Sequence, residues 1–131
     1  MNKRILILMC ALVSGSLFLS QAVSAHQLEK DMHVLAKTMT AFAQTDDLAE
    51  ANKQLVLMRK AAVSSKASLP HQLEGLTPEN DQVKSYQGGL DQLIAEIDAV
   101  TALVEKGQLE DAKVEALKLV KLRNEYHQQF K

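Results

Sequence analysis

Apolar residues recur along most of the chain at spacings of three and four, which is the period of one face of an α-helix. From residue 27 onward, no stretch alternates apolar and polar residues as a half-buried strand would. The first stripe, in a helix expected from about residue 27 to residue 44, consists of Leu28, Met32, Leu35, Met39 and Phe42. The pattern predicts an all-α protein.

Capping and turn residues divide the rest of the chain into three further helices. Thr45-Asp46-Asp47 offers side-chain oxygens for the start of a second helix. The long connection before the third helix contains both prolines, and Thr77-Pro78 fits an N-cap followed by a proline in the first helical turn. The third helix, in which Gly88-Gly89 is a weak point, should end at Lys106-Gly107, and one continuous helix should follow. Each of these helices has its own apolar stripe: Leu48, Ala51, Leu55, Met58 and Ala62 in the second; Val83, Tyr86, Leu90, Leu93, Ile97, Val100 and Val104 in the third; and Leu109, Ala112, Ala116, Leu119, Arg123, Tyr126 or His127, and Phe130 in the last.

Short connections between the first and second helices, and between the third and fourth, make the helices that they join antiparallel neighbours. The simplest architecture is an antiparallel up-down-up-down four-helix bundle in which both chain ends meet at one end. The apolar stripes of the four helices can all be buried within one core. We therefore expect a single domain over residues 26–131 and a monomer.

Residues 1–25 have the pattern of an export signal peptide. Lys3 and Arg4 precede an apolar stretch, and Val23-Ser24-Ala25 provides the small residues of a cleavage site. The apolar stretch is short for a membrane span and is interrupted by polar residues. We expect cleavage before His26 and a mature protein in the periplasm, without membrane insertion.

Composition excludes several classes of function. Cys10 is the only cysteine and lies in the segment expected to be removed, so the mature chain has no disulfide, no thiolate and no Cys-x-x-Cys-His haem attachment. Loss of Lys3 and Arg4 changes the formal net charge from −1 to −3, which does not suggest binding to nucleic acid. The sequence also lacks the paired Glu-x-x-His motifs of di-metal bundles, and we assign acidic residues such as Glu29, Asp31, Glu110 and Asp111 to a solvated face.

Met32 and His127 are the metal-binding side chains whose depths in such a bundle match. Each should lie one to two helical turns from the shared end, on helices that are antiparallel neighbours. A thioether and an imidazole are axial ligands suited to an electron-transfer haem. The alternatives are a core methionine that fills a gap and a histidine that interacts with the dipole of the helix C-terminus.

The sequence from residue 26 onward resembles the cytochrome b562 family. Three short motifs in the first, second and last helices carry the resemblance through their order and spacing: Leu28-Glu29-x-x-Met32, Met58-Arg59-x-Ala61-Ala62 and Arg123-Asn124-x-Tyr126-His127-Gln128. The resemblance implies a periplasmic electron-transfer protein with one non-covalent haem b. It also implies that Met32 and His127 are the axial ligands of the iron.

Four further residues are candidates for the haem pocket. Arg123 lies one turn before His127 and could reach a haem propionate, or could be an ordinary surface arginine. Leu35 lies one turn after Met32, and Tyr86 and Leu90 face inward from the third helix. The family tends to have aromatic residues at this part of the third helix, so the aliphatic Leu90, next to Gly88-Gly89, points to a change in haem affinity.

Two protein ligands leave the iron without an open position, so we predict no enzyme activity and no catalytic residues. The expected partners are a periplasmic electron donor and acceptor, neither of which the sequence identifies. One alternative is a bundle that has lost haem and binds a metal or a protein. A second alternative is a haem protein in which Met32 dissociates to admit a small ligand.

Overall fold

A computed structural model of the chain describes the backbone of residues 19–130 and the side chains of residues 25–130. The predicted signal peptide, residues 1–25, lies largely outside the described residues, and its cleavage stays a prediction. The five α-helices of the described chain are α1 (Leu19–Gln44), α2 (Leu48–Ala67), α3 (Asp81–Glu105), α4 (Leu109–Glu115) and α5 (Leu117–Phe130). A short 3-10 helix, His71–Leu73, lies in the connection between α2 and α3.

The helices form an antiparallel four-helix bundle in which α4 and α5 together make the fourth member. Helix α1 packs on α2, α2 packs on α3, and α3 packs on both α4 and α5. Backbone contact between α1 and α5 is sparse by comparison. The predicted all-α fold is confirmed. Within residues 19–130, no helix has the length and apolar character needed to cross a membrane.

Two predicted helix boundaries are confirmed by their hydrogen bonds. Asp47 is the N-cap of α2, and its carboxylate accepts a hydrogen bond of 2.7 Å from the Glu50 amide. Helix α3 ends at Glu105, with Lys106 as its C-cap, and Gly107 follows with a φ of 75°. Glycine adopts this left-handed conformation without steric cost, which allows the tight turn into α4.

Thr77-Pro78 does not cap α3, contrary to the sequence prediction. Asn80 is the N-cap, and its side chain accepts a hydrogen bond of 2.9 Å from the Gln82 amide. The Asn80 amide in turn donates to the Thr77 carbonyl at 3.0 Å. Because the fixed φ of proline suits a turn as well as a first helical turn, the dipeptide forms the turn that precedes the helix.

Two other boundaries differ from the prediction. The last helix is not continuous, because it is interrupted at Ala116, where the Leu119 amide bonds to the Ala116 carbonyl at 3.0 Å in a tighter turn of 3-10 type. Helix α1 begins at Leu19 rather than near Gln27, so helical backbone continues through the predicted cleavage site.

The core is apolar and runs the length of the bundle. Its largest side chains, each no more than 2% exposed, are Phe42, Leu35, Leu55, Met58, Leu73, Ile97, Leu119, Val83 and Val100. They include members of the predicted stripes of all four bundle helices, so the periodicity identified the buried face of each helix.

Candidate functional site

A cavity of about 180 Å³ lies at the end of the bundle where α1 starts and α5 ends. Its walls come from α1, α3 and α5, with Pro70 from the long connection. The lining is almost entirely apolar and consists of Leu28, Met32, Leu35, Pro70, Tyr86, Gly89, Leu90, Leu93, Leu122, Arg123, Tyr126, His127 and Phe130.

All six residues predicted for the site line this one cavity. Met32 is half-buried on α1, and the exposed His127 lies on α5. The four others are Leu35 on α1, Tyr86 and Leu90 on α3, and Arg123 on α5. The structure therefore brings the six together, while their role toward a cofactor stays a prediction.

The cavity adjoins an open groove between α1 and α5. Three residues, Met32, Arg123 and His127, belong to both, and the rest of the groove is largely polar: His26, Glu29, Lys30, His33, Val34, Ala36 and Asn124. The Arg123 guanidinium donates hydrogen bonds of 3.0 and 3.2 Å to the Asn124 side chain. It forms no ion pair with any carboxylate in the described part of the chain. Arg123 is therefore available to an anionic group at the mouth of the cavity.

Three aromatic rings close the end of the cavity. The ring centroids of Tyr86 and Phe130 are 5.5 Å apart in a T-shaped arrangement, and those of Tyr126 and Phe130 are 6.3 Å apart in a stacked one. The Tyr126 ring also lies directly against the Gly89 backbone of α3, so closely that a Cβ at residue 89 would overlap it. Gly89 is thus a point of close approach between α3 and α5.

Tyr86 is fixed in place at both ends of its side chain. Its ring packs against Phe130, and its hydroxyl donates a hydrogen bond of 2.7 Å to the Ser65 carbonyl on α2. Burial, and to a lesser extent the negative charge of Asp31, raise the pKa of Tyr86 above that of a free phenol. Tyr86 therefore contributes a neutral, rigid wall to the cavity.

Several of the lining residues were not among the residues predicted for the site. Leu28, Leu93 and Phe130 are members of the predicted stripes, so their position on the stripes was a usable signal. Gly89 was interpreted as a weak point in the helix, whereas it accommodates the Tyr126 ring. No local pattern marks Pro70 as a lining residue, because its position depends on how the long connection folds back.

The residues present fit a haem. A porphyrin ring needs apolar walls, and the cavity provides them. It lies between α1 and α5, whose backbones make little contact with each other. A thioether and an imidazole come from those two helices, and they are a suitable axial pair. Within residues 19–130 there is no group of three or more His, Cys, Asp or Glu residues that could hold a bare metal ion. The donor set thus favours a macrocycle over an isolated ion.

Comparison with known proteins agrees with this chemistry. The family model for cytochrome b562 matches residues 27–131. A relative from Yersinia pestis named probable soluble cytochrome b562 2 is 31% identical over 124 residues, which cover 95% of this chain and 97% of the relative. Another from the same organism, probable soluble cytochrome b562 1, is 28% identical over 116 residues, covering 88% and 91% of the two chains. The chain therefore belongs to the cytochrome b562 family, a family of b-type cytochromes.

Proposed function

We propose that this protein is a periplasmic electron carrier that binds one non-covalent haem b, with Met32 and His127 as the axial ligands. One observation carries the proposal: the six residues selected from the sequence line a single apolar cavity between α1 and α5. Membership of a family of b-type cytochromes supports the cofactor. The signal-like residues 1–25 support the periplasmic location.

The chain's own residues would hold the haem in three ways. Leu35, Leu90 and Tyr86 offer apolar contact to the macrocycle and exclude water from it. Met32 and His127 supply the sulfur and the nitrogen for the iron. Arg123, at the junction of the cavity and the polar groove, offers its guanidinium to a propionate.

When bound, haem supplies an iron centre that gains and loses a single electron. Two protein ligands leave no position for a substrate on the iron, which favours electron transfer over catalysis. The soft sulfur of Met32 favours the reduced iron. The half-exposed groove beside Met32 and His127 gives a partner protein access to the haem edge.

Haem titration of the exported protein tests this proposal, with absorption spectra recorded in the oxidised and reduced states. We expect saturation at one haem per chain and the sharp bands of low-spin iron in both states. Met32→Leu, which keeps the side-chain volume, should leave a haem with high-spin character. His127→Ala should weaken haem binding at least tenfold.

Two matched controls separate ligation from general damage. Met39→Leu removes the sulfur of a buried methionine that lies two stripe positions after Met32 on α1. His33→Ala removes an exposed imidazole from the same groove as His127. Both should give the unchanged low-spin spectrum. A wild-type protein without a saturable spectrum would contradict the proposal and leave a haem-free binding module.

A further inference from the structure

Asp31 is a buried carboxylate between α1 and α2. It is 6% exposed and is the only charged residue among the buried residues of the described chain. Its Oδ1 accepts a hydrogen bond of 3.0 Å from the Gln27 amide, and its Oδ2 accepts one of 2.5 Å from the Ser64 hydroxyl. Both donors are neutral, and no basic side chain of residues 25–130 forms an ion pair with it.

A buried carboxylate of this kind is costly in a folded protein. Removal of a charge from water is compensated well only by an opposite charge, and neutral hydrogen-bond donors offset a part of the cost. Within residues 25–130, the Asp31 carboxylate is thus buried without a basic partner. Such an arrangement favours the arrival of positive charge nearby.

The cavity is the neighbouring region where positive charge could arrive. Asp31 directly precedes Met32, which lines the cavity from the same helix. Ser64, its hydrogen-bond donor, directly precedes Ser65, whose carbonyl accepts the hydroxyl of the cavity residue Tyr86. Burial first, and the negative charge of Asp31 second, raise the pKa of Tyr86, a residue of the cavity wall.

We propose that Asp31 is an electrostatic tuning residue that stabilises ferric over ferrous haem and so lowers the reduction potential. The inference rests on the proposed function. Ferric haem carries one more positive charge than ferrous haem, so a fixed carboxylate attracts the oxidised state more strongly, and one electron is the only difference between the states. The effect of Asp31 on the reduction potential is thus opposite to that of the Met32 sulfur, which favours reduced iron.

The expected size of the effect is a threefold to tenfold change in the ratio of ferric to ferrous haem affinity. Two unit charges separated by roughly one helix diameter interact, at an effective dielectric constant of about 20, with an energy equivalent to about a tenfold change, which sets the upper limit. For a single electron, a tenfold change in this ratio corresponds to about 59 mV. Solvent near the open groove reduces the effect toward the lower limit.

Asp31→Asn tests the inference because it removes the charge and keeps the shape. Asp111→Asn is the matched control, since the same substitution removes the same charge from an exposed position on α4, at the opposite end of the bundle from the cavity. The reduction potential of each haem-loaded variant would be measured by spectroelectrochemical titration, and ferric and ferrous haem affinities by haem titration. We expect a higher potential for Asp31→Asn, with ferric affinity falling threefold to tenfold relative to ferrous affinity. Asp111→Asn should change that ratio less than twofold.

A second neutral variant, Asp31→Leu, is branched at Cγ as aspartate is, although it is larger, and it leaves no buried amide in its place. Each neutral variant that folds should show the higher potential. An Asp31→Asn potential equal to that of Asp111→Asn would overturn the inference. So would loss of haem binding in both neutral variants, because the charge is proposed to set the potential and not to hold the haem. Failure of the wild type to bind haem would instead contradict the proposed function.

Discussion

The two ends of the bundle are built from the same apolar stripes but are packed differently. At the closed end, where α1 meets α2 and α3 meets α4 through short turns, Phe42, Leu55, Val100 and Ala112 are all at most 1% exposed. At the cleft end, where α1 starts and α5 ends, the stripe continues into Met32, a half-buried side chain beside a cavity. Helical periodicity alone does not distinguish the two.

The difference arises from how the helices are connected and from the size of the side chains they bring together. Turns at 45–47 and 106–108 hold the closed end, and small residues such as Ala51 and Ala112 let its helices approach closely. The cleft end has the long connection of residues 68–80 and little backbone contact between α1 and α5. Incomplete packing at one end thus creates the space for a ligand, while the other end stabilises the fold.

The largest predicted contrast is between two phenylalanines. Phe42 is 1% exposed at the closed end, whereas Phe130 is half-buried in the cleft between Tyr86 and Tyr126. Phe42→Ala should reduce the free energy of unfolding of the haem-free protein by about 3–5 kcal/mol, because it leaves a cavity in a close-packed core. Phe130→Ala should cost about 1–2 kcal/mol, mainly from lost aromatic pairs.

Haem affinity should change in the opposite order. Phe130→Ala is expected to weaken haem binding about tenfold, and the folded fraction of Phe42→Ala should bind haem within twofold of the wild type. Urea unfolding followed by circular dichroism, together with haem titration, measures both quantities. Equal stability losses for the two variants, with haem affinity unchanged in both, would remove the distinction between the two ends.

A smaller effect of the same kind is expected at the adjacent glycines of α3. A Cβ at residue 88 would meet no atom within 4 Å, so Gly88→Ala should stabilise the protein by about 0.5–1 kcal/mol through helix propensity. A Cβ at residue 89 would overlap the Tyr126 ring. Gly89→Ala should therefore cost about 1–3 kcal/mol through overpacking and should weaken haem binding by displacing Tyr126.

Thermal and urea unfolding of the two variants, with haem titration of each, gives the comparison directly. The Gly88→Ala variant is the control for helix propensity, since both substitutions add the same methyl group to the same helix. Stabilisation by both substitutions, with haem binding intact, would mean that the contact between Gly89 and Tyr126 does not shape the cleft.

The sequence predicted most of what depends on local chemistry. Apolar spacing identified the buried faces, and capping residues identified the helix boundaries at Asp47 and Gly107. In an antiparallel bundle, the number of residues between a side chain and the shared end gives its depth along the bundle axis. Residues on facing helices could therefore be compared by depth. That reasoning, with the family resemblance, selected Met32 and His127, which line the same cavity.

Features that depend on tertiary packing were not predicted. Gly89 has the same local signal as Gly88, and only the ring of Tyr126 from another helix distinguishes the two. Thr77-Pro78 fits a helix start and a turn equally well. Asp31 was assigned to a solvated face, whereas its contact with Ser64 from α2 keeps it buried. For Gly89 and Asp31 the deciding partner is distant in the sequence, whereas Thr77-Pro78 is displaced from the cap by the nearby Asn80.

The central claim is that the Met32 sulfur lies over the iron of a haem in the cleft, and the methyl resonances of methionine test it most directly. Ferrous low-spin haem is diamagnetic, and its ring current shifts a methyl group above the ring strongly upfield. Protein labelled with ¹³C in the methionine methyl groups, loaded with haem and reduced, should show one such upfield resonance, which Met32→Leu should remove. Resonances from the buried Met39 and Met58 should remain near their ordinary positions. A spectrum without an upfield methyl, or one in which that methyl survives Met32→Leu, would contradict the account.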